Sequence, residues 1–207
     1  MTAPRIAVAG AGGHAKVVIG TAEAAGFVIA AVFDDREDLW GGTVLGYPVY
    51  GPIEEMATHE VDGAVPGIGS NSGRRDVAAR VGVLWVTVRH PSAQVHRSVV
   101  IGAGTVVFAG VVVQPDTTIG EQSILNTGAT VDHDCHIAHY SHIAPGAHLA
   151  GNVSVGQGCL IGVGAALIPG VTAGEWSVIG AGAAIVSDVP AGATYAGVPG
   201  RRIDVRQ

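Results

Sequence analysis

The chain has 207 residues, with 11 Lys and Arg against 17 Asp and Glu, a formal charge of −6, and Lys16 as the lone lysine. That balance excludes a role built on nucleic acid or an anionic membrane surface. Mean hydropathy is positive, yet Gly or polar residues interrupt every apolar run before the roughly 18 residues that a membrane span needs.

Taken in chain order, Ile6-Ala7-Val8-Ala9 reads as a short buried strand, followed by Gly10-Ala11-Gly12-Gly13-His14 and a helix over 15–25 that Gly26 ends. Residues 28–33 form the next strand, with Asp34 and Asp35 at its carboxyl end. Residues 61–65 and 83–88 read as further strands, and 74–80 as a helix between them. The alternation predicts a small parallel α/β sheet of about four strands.

Gly10, Gly12 and Ala15 satisfy G-x-G-x-x-G/A, and Asp34 stands near where a carboxylate meets the ribose of a dinucleotide. A glycine turn feeding a helix N-terminus binds any phosphate through free N–H groups and the helix dipole. So few strands make half a dinucleotide fold, which suits a nucleotide sugar better than NAD. Arg74 and Arg75 read as a solvated helix start, with a pyrophosphate contact as the alternative. Segment 39–52, rich in Gly and aromatics, is expected to shape base or sugar selectivity.

The pattern changes near His90 and Pro91, which divides the chain into 1–90 and 91–207. From Val95 an aliphatic residue or Ala recurs at every sixth position through Ile101, Val107, Val113 and onward to Ile185, without a slip. Four residues after each stands a small or β-branched partner, from Val99 and Thr105 to Ala183 and Val189. A period of six fits neither a helix nor one long strand; it fits a solenoid of very short strands joined by tight turns. Cys135 and Cys159 both take the small inward position, on different walls, and are therefore expected to be buried free thiols in a cytoplasmic protein. The chain start lacks the basic and then apolar pattern of a signal peptide, in keeping with that location.

Five of the nine histidines fall between 133 and 148. His136, His142 and His148 hold the same place in successive hexads and would stand at three corners about 120° apart, so no metal is expected. His133 is off the inward positions and points out beside Asp134. An exposed imidazole next to a carboxylate is a candidate general base.

These motifs together resemble the hexapeptide-repeat sugar acyltransferases, the family of the bacillosamine-pathway UDP-4-amino-sugar N-acetyltransferase, the perosamine N-acetyltransferases and the sialic acid O-acetyltransferases. The resemblance rests on Gly12-Gly13-His14, Asp34-Asp35, Gly67-Ile68-Gly69-Ser70-Asn71, Asn126-Thr127 and Val131-Asp132-His133-Asp134, and covers essentially the whole chain. It implies a small Rossmann-like parallel α/β domain followed by a left-handed parallel β-helix. By similarity, Gly13, His14, Asp34, Asp35, Gly69 and Asn126 contact the nucleotide sugar. His133 is the base with Asp134 beside it, and His142, Gly151 and Val163 lie against acetyl-CoA. The tail Gly197-Val198-Pro199-Gly200-Arg201 departs from the family's usual Gly-Val-Pro-Ala-Lys but keeps a cation for the CoA phosphates. The implied protein is a homotrimer with active sites between subunits, moving acetyl from acetyl-CoA to a sugar amine in a ternary complex. The alternatives are O-acetylation of a sialic-type sugar, or a non-catalytic trimer that senses a dinucleotide.

Overall fold

The computed structural model describes residues 3–204. In the N-terminal part, β1 (Arg5–Ala9), α1 (Gly13–Ala24), β2 (Val28–Phe33), β3 (Thr43–Val44), β4 (Tyr47–Tyr50), β5 (Gly63–Pro66) and α2 (Asn71–Arg80) follow one another. They form a five-stranded sheet of order β3-β4-β2-β1-β5, in which only β3 runs antiparallel to its neighbour.

One expectation is corrected here, on residues 83–88, and segment 39–52 gains an assignment: it supplies the β3–β4 hairpin, turned by Leu45 and Gly46 with φ of 50° and 85°. A two-residue turn with both φ positive matches the strand twist, but Leu45-Gly46 lacks the Asn-Gly or Asp-Gly signature that announces it. Conversely, residues 83–88 make no full strand. They form one bridge, Ala64 to Trp85, and then leave the sheet. Val88–Arg89 instead pairs in parallel with Val106–Val107, as the first rung of the second architecture.

That second architecture is a triangular parallel β-helix whose strands pair with those 18 residues on, for example Val112 with Thr130 and Thr118 with His136. Face one runs from Gln94–Val95 to Ala184–Ile185, face two from Val100–Ile101 to Thr172–Ala173, and face three from Val88–Arg89 to Thr194–Ala196, where antiparallel Arg201–Ile203 closes the end. The hexad aliphatics fill the column: Ile137, Ile143, Ile161 and Ile179 are wholly buried. The small inward residues satisfy themselves on the next coil. Thr105 Oγ1 donates to Gly120 O at 2.8 Å, Ser141 Oγ to Gly156 O at 2.9 Å and Cys159 Sγ to Gly174 O at 2.9 Å. This is why hydroxyls and thiols are tolerated inside an apolar prism.

The turns explain the six-residue spacing. From Gly104 to Gly182, every sixth residue has φ between 55° and 75°. Glycine holds eight of these fourteen left-handed places and Asp116, Asp134 and Asn152 three more, the residue types that reach this region at least cost. Gln122, Tyr140 and Trp176 are the exceptions. All three stand on one edge, the corner between faces two and three.

Candidate functional site

The N-terminal sheet packs against face three. Val8, Val18 and Ile19 share one apolar cluster with Val106, Phe108 and Ile124 of the β-helix. At the carboxyl ends of β1, β2 and β5 lies a cleft of about 430 Å³, lined by Gly10, Asp34, Asp35, Arg36, Ile68 and Asp76 among others. α1 begins at Gly13 with no side-chain cap and no acid in its first turn, so its N–H groups stay available to an anion.

The two acids at the cleft already hold protein partners. Asp34 accepts from Ala11 N at 2.7 Å and from Arg36 N at 3.0 Å. Burial works against its charged form, but the hydrogen bonds from Arg36 and Ala11 prevail and hold the carboxyl below its ordinary range. Asp35 accepts from Ile53 N at 3.0 Å and pairs with Arg80, which also pairs with Glu54. Both carboxylates therefore shape the loops of the cleft from the protein side.

His14 lies on the first turn of α1, but its ring turns to the β-helix. It meets Phe108 edge-on at 5.4 Å and lies 6.2 Å from the ring of His142 on face three. Asn126 Nδ2 donates to His142 Nε2 at 3.0 Å. That bond places the proton on Nδ1, where the ring meets the Gly69 backbone. Burial first, and the nearby Arg74 charge second, push both histidines down to about 4. Both are neutral at physiological pH, and His14 Nε2 is buried without a partner. His14, Gly69, Asn126 and His142 thus meet where the two halves of the chain join, with Gly13 beside His14 at the start of α1, whereas Asp34 and Asp35 line a cleft made of N-terminal residues.

His133 is elsewhere. It stands just past Val131 of face one, at the turn into face two, with its side chain 53% exposed. Asp134 occupies a left-handed turn position, φ 58°, and this conformation brings its carboxylate to 2.7 Å from His133 Nδ1. The shorter side chain of Asp therefore reaches the ring directly. The hydrogen bond to Asp134 holds the imidazole above its ordinary pKa, with the charge of Asp132 adding to it. With Nδ1–H given to Asp134, Nε2 is left as the acceptor of the neutral ring. Gly151, one coil on, lies directly beneath: a Cβ there would come within 2.6 Å of His133 Cε1. Val163 is 55% exposed at the remaining corner, between faces three and one.

Two further expectations change. His136, His142 and His148 occupy strand positions on faces two, three and one, not corners, though they still point away from one another. Arg74 is not solvated: it is wholly buried. Sequence reasoning missed it because an Arg early in a polar helix ordinarily faces water. The signal available was the run of bulky residues, Gln122, Tyr140 and Trp176, at turn positions that elsewhere take Gly, Asp or Asn.

A triangular β-helix carrying an outward imidazole–carboxylate pair, with a nucleotide-type α/β sheet docked on one face, defines a hexapeptide-repeat acyltransferase. Residues 5–81 match the family model described as the PglD N-terminal domain. The UDP-N-acetylbacillosamine N-acetyltransferase of Bacillus subtilis (strain 168) is 40% identical over 114 residues, 50% of this chain and about half (51%) of that relative. Perosamine N-acetyltransferase from Caulobacter crescentus, solved with CoA and GDP-perosamine, is 39% identical over 97% of both chains with a TM-score of 0.92. The acetyltransferase domain of PglB from Neisseria gonorrhoeae FA1090 is 40% identical over 97% of this chain and 100% of that one, with a TM-score of 0.89. The chain belongs to this family of nucleotide-sugar N-acetyltransferases, and its β-helix has the left hand of that fold.

Proposed function

We propose that this protein transfers acetyl from acetyl-CoA to the amino group of a nucleotide-linked amino sugar, with His133 as general base. The observation that carries the reading is the His133–Asp134 pair, exposed on the outer wall, set at 2.7 Å and seated on Gly151. The nucleotide sugar lies with its phosphates at the α1 N-terminus and Gly69, in a front module comprising 1–90; the donor lies along the β-helix of 91–207. The amine nitrogen bonds to the thioester carbonyl carbon while His133 Nε2 takes its proton. Asp134 stabilises the imidazolium that forms. Collapse of the tetrahedral intermediate breaks the C–S bond, and the proton passes to the departing thiolate. A backbone N–H of a glycine turn stabilises the oxyanion. Cys135 and Cys159 are buried and burial pushes both thiols up, so neither serves as an acyl carrier.

The sugar-side residues and His142 meet on face three, whereas His133 stands at the opposite corner, between faces one and two. One chain cannot bring them together. The reading therefore includes a cyclic homotrimer in which His133 of each subunit serves the junction of its neighbour. Among the described residues no helix is long and apolar enough to cross a membrane. Use of acetyl-CoA and two buried free thiols support a cytoplasmic location.

The test is CoA release with acetyl-CoA and a panel of UDP- and GDP-linked amino sugars, run beside His133→Ala. Turnover on one amino sugar that falls by about 10² to 10⁴ in the variant, at unchanged oligomeric state, is the expected result. Turnover on hydroxyl sugars alone, or stabilisation by NAD with no transfer, would overturn it.

A further inference from the structure

The corner between faces two and three is where α2 docks, and the docking is unusually complete. Arg74 Nε donates to Gln122 O at 2.7 Å, and its Nη2 donates to Tyr140 O at 2.9 Å and Ser141 O at 3.2 Å. Asn71 Nδ2 donates to Gly158 O and Cys159 O, both at 2.9 Å, and Arg75 lies 4.9 Å over the Trp176 ring. Gln122, Tyr140, Gly158 and Trp176 are left-handed turn residues on successive coils of that edge. Side chains other than Gly, Asn or Asp adopt this conformation only at a steric cost. Within the β-helix turns the three such residues all stand here, where carbonyls of the edge receive donors from the front module.

On its other side Arg74 Nη1 donates to Gly69 O at 2.9 Å and Ile68 O at 3.2 Å, and Nη2 reaches Asn71 Oδ1 at 2.8 Å. Among the described residues, every polar contact of this buried guanidinium is to a neutral oxygen and no carboxylate is paired with it. A group that serves stability alone is poorly explained this way, because a buried charge with neutral partners recovers its desolvation only when every donor is met by fixed geometry. One planar fork ties the loop holding Gly69, and beside it His14, to the wall carrying His142.

Resting on the acetyl-transfer reading, we infer that Arg74 is a positioning residue for the reaction: it sets the spacing between the nucleotide-sugar loop and the β-helix wall. His142 and Val163 are held by the β-helix ladder itself, so loosening this seam displaces the acceptor substrate and leaves the donor in place.

The experiment is full kinetics of the intact protein with each substrate varied in turn, for the wild type, Arg74→Lys, Arg74→Met and Asn71→Ala. In Arg74→Met the KM for the nucleotide sugar rises by about tenfold or more while the KM for acetyl-CoA stays within about twofold. Arg74→Lys and Asn71→Ala move in the same direction by less, and they carry the test if Arg74→Met does not fold. In the same variants the His14 and His142 ring resonances titrate at higher pH than in the wild type, since the guanidinium beside them is gone or displaced. An unmoved ratio of the two KM values in the folded variants, or an equal rise in both, overturns the positioning role. Failure of the wild type to acetylate any amino-sugar nucleotide overturns instead the reading on which it rests.

Discussion

Gly151→Ala asks the most of the proposed base while disturbing the fold least. Gly151 does not have the positive φ that would bar a side chain, so alanine fits its backbone. What does not fit is the new methyl: its carbon would stand 2.6 Å from His133 Cε1 and 2.7 Å from Nε2. Carbon atoms rest about 3.5–4.0 Å apart, so the ring must retreat by roughly 1 Å or swing to another rotamer. The ring is also tied to Asp134 at 2.7 Å, and either movement lengthens or breaks that bond. A 1 Å misplacement of a reacting group costs on the order of 10² in rate, which is about 2.7 kcal/mol of transition-state stabilisation. We expect kcat, followed by CoA thiol release, to fall by about 10² with the thermal midpoint little changed. A wild-type kcat in this variant would refute the placement of His133 as base. A change confined to the KM for acetyl-CoA would assign Gly151 to the donor alone.

Three other predictions follow from the same geometry. The pKa of His133 is raised by Asp134, so His133 is protonated and idle below that value, and transfer rises with pH as the ring loses its proton. Asp134→Asn removes the charge, moves this acid limb to lower pH and lowers the plateau rate, as read from a pH–rate profile. Mixed trimers of His133→Ala and Gly69→Trp, each inactive alone, regain activity if the base and the sugar loop come from different subunits, and stay inactive if one chain supplies both. Finally, His14 and His142 are held near 4 against 6.5 for the unfolded chain. Their contribution is present above 6.5 and is lost as pH falls from 6.5 toward 4, because only the unfolded state takes up protons there. At 1.36 kcal/mol per unit the loss is on the order of 3 kcal/mol for each ring. Chemical denaturation between pH 7 and 5 shows a steeper loss in the wild type than in a His14→Gln, His142→Gln double variant.

The β-helix was legible almost completely, since a spacing of six leaves one architecture and the inward aliphatics are in fact its core. Even the free thiols could be read from their hexad position. The front sheet was legible in its alternation but not in its membership. Edge pairing in β3 and β4 depends on a turn whose residues, Leu45 and Gly46, carry little local signal, and residues 83–88 are strand-like because they cross from one architecture to the other. Within the site, the pairing of His133 with Asp134 follows from adjacency on a left-handed turn, so it was visible in outline. The burial of Arg74 was not, because its β-helix acceptors come from residues 48 to 67 positions away, and the carbonyls of a β-helix edge have no sequence code.

The repeat also sorts histidines by face, and this decides which of them can move a proton. His133 and His142 differ by nine positions, one and a half hexads, which carries the chain from a turn open to water to a strand covered by the front module. The same side chain is thereby pushed in opposite directions, above its ordinary pKa beside Asp134 and down to about 4 by burial, with the Arg74 charge adding to it. A base must accept a proton near neutral pH and give it up again, and only the first environment permits that. In the second, an uncharged ring has both nitrogens engaged, by Asn126 and by the Gly69 backbone, and stays neutral across the physiological range. On the proposed reading, the different parts assigned to the two follow from their register in the six-residue repeat.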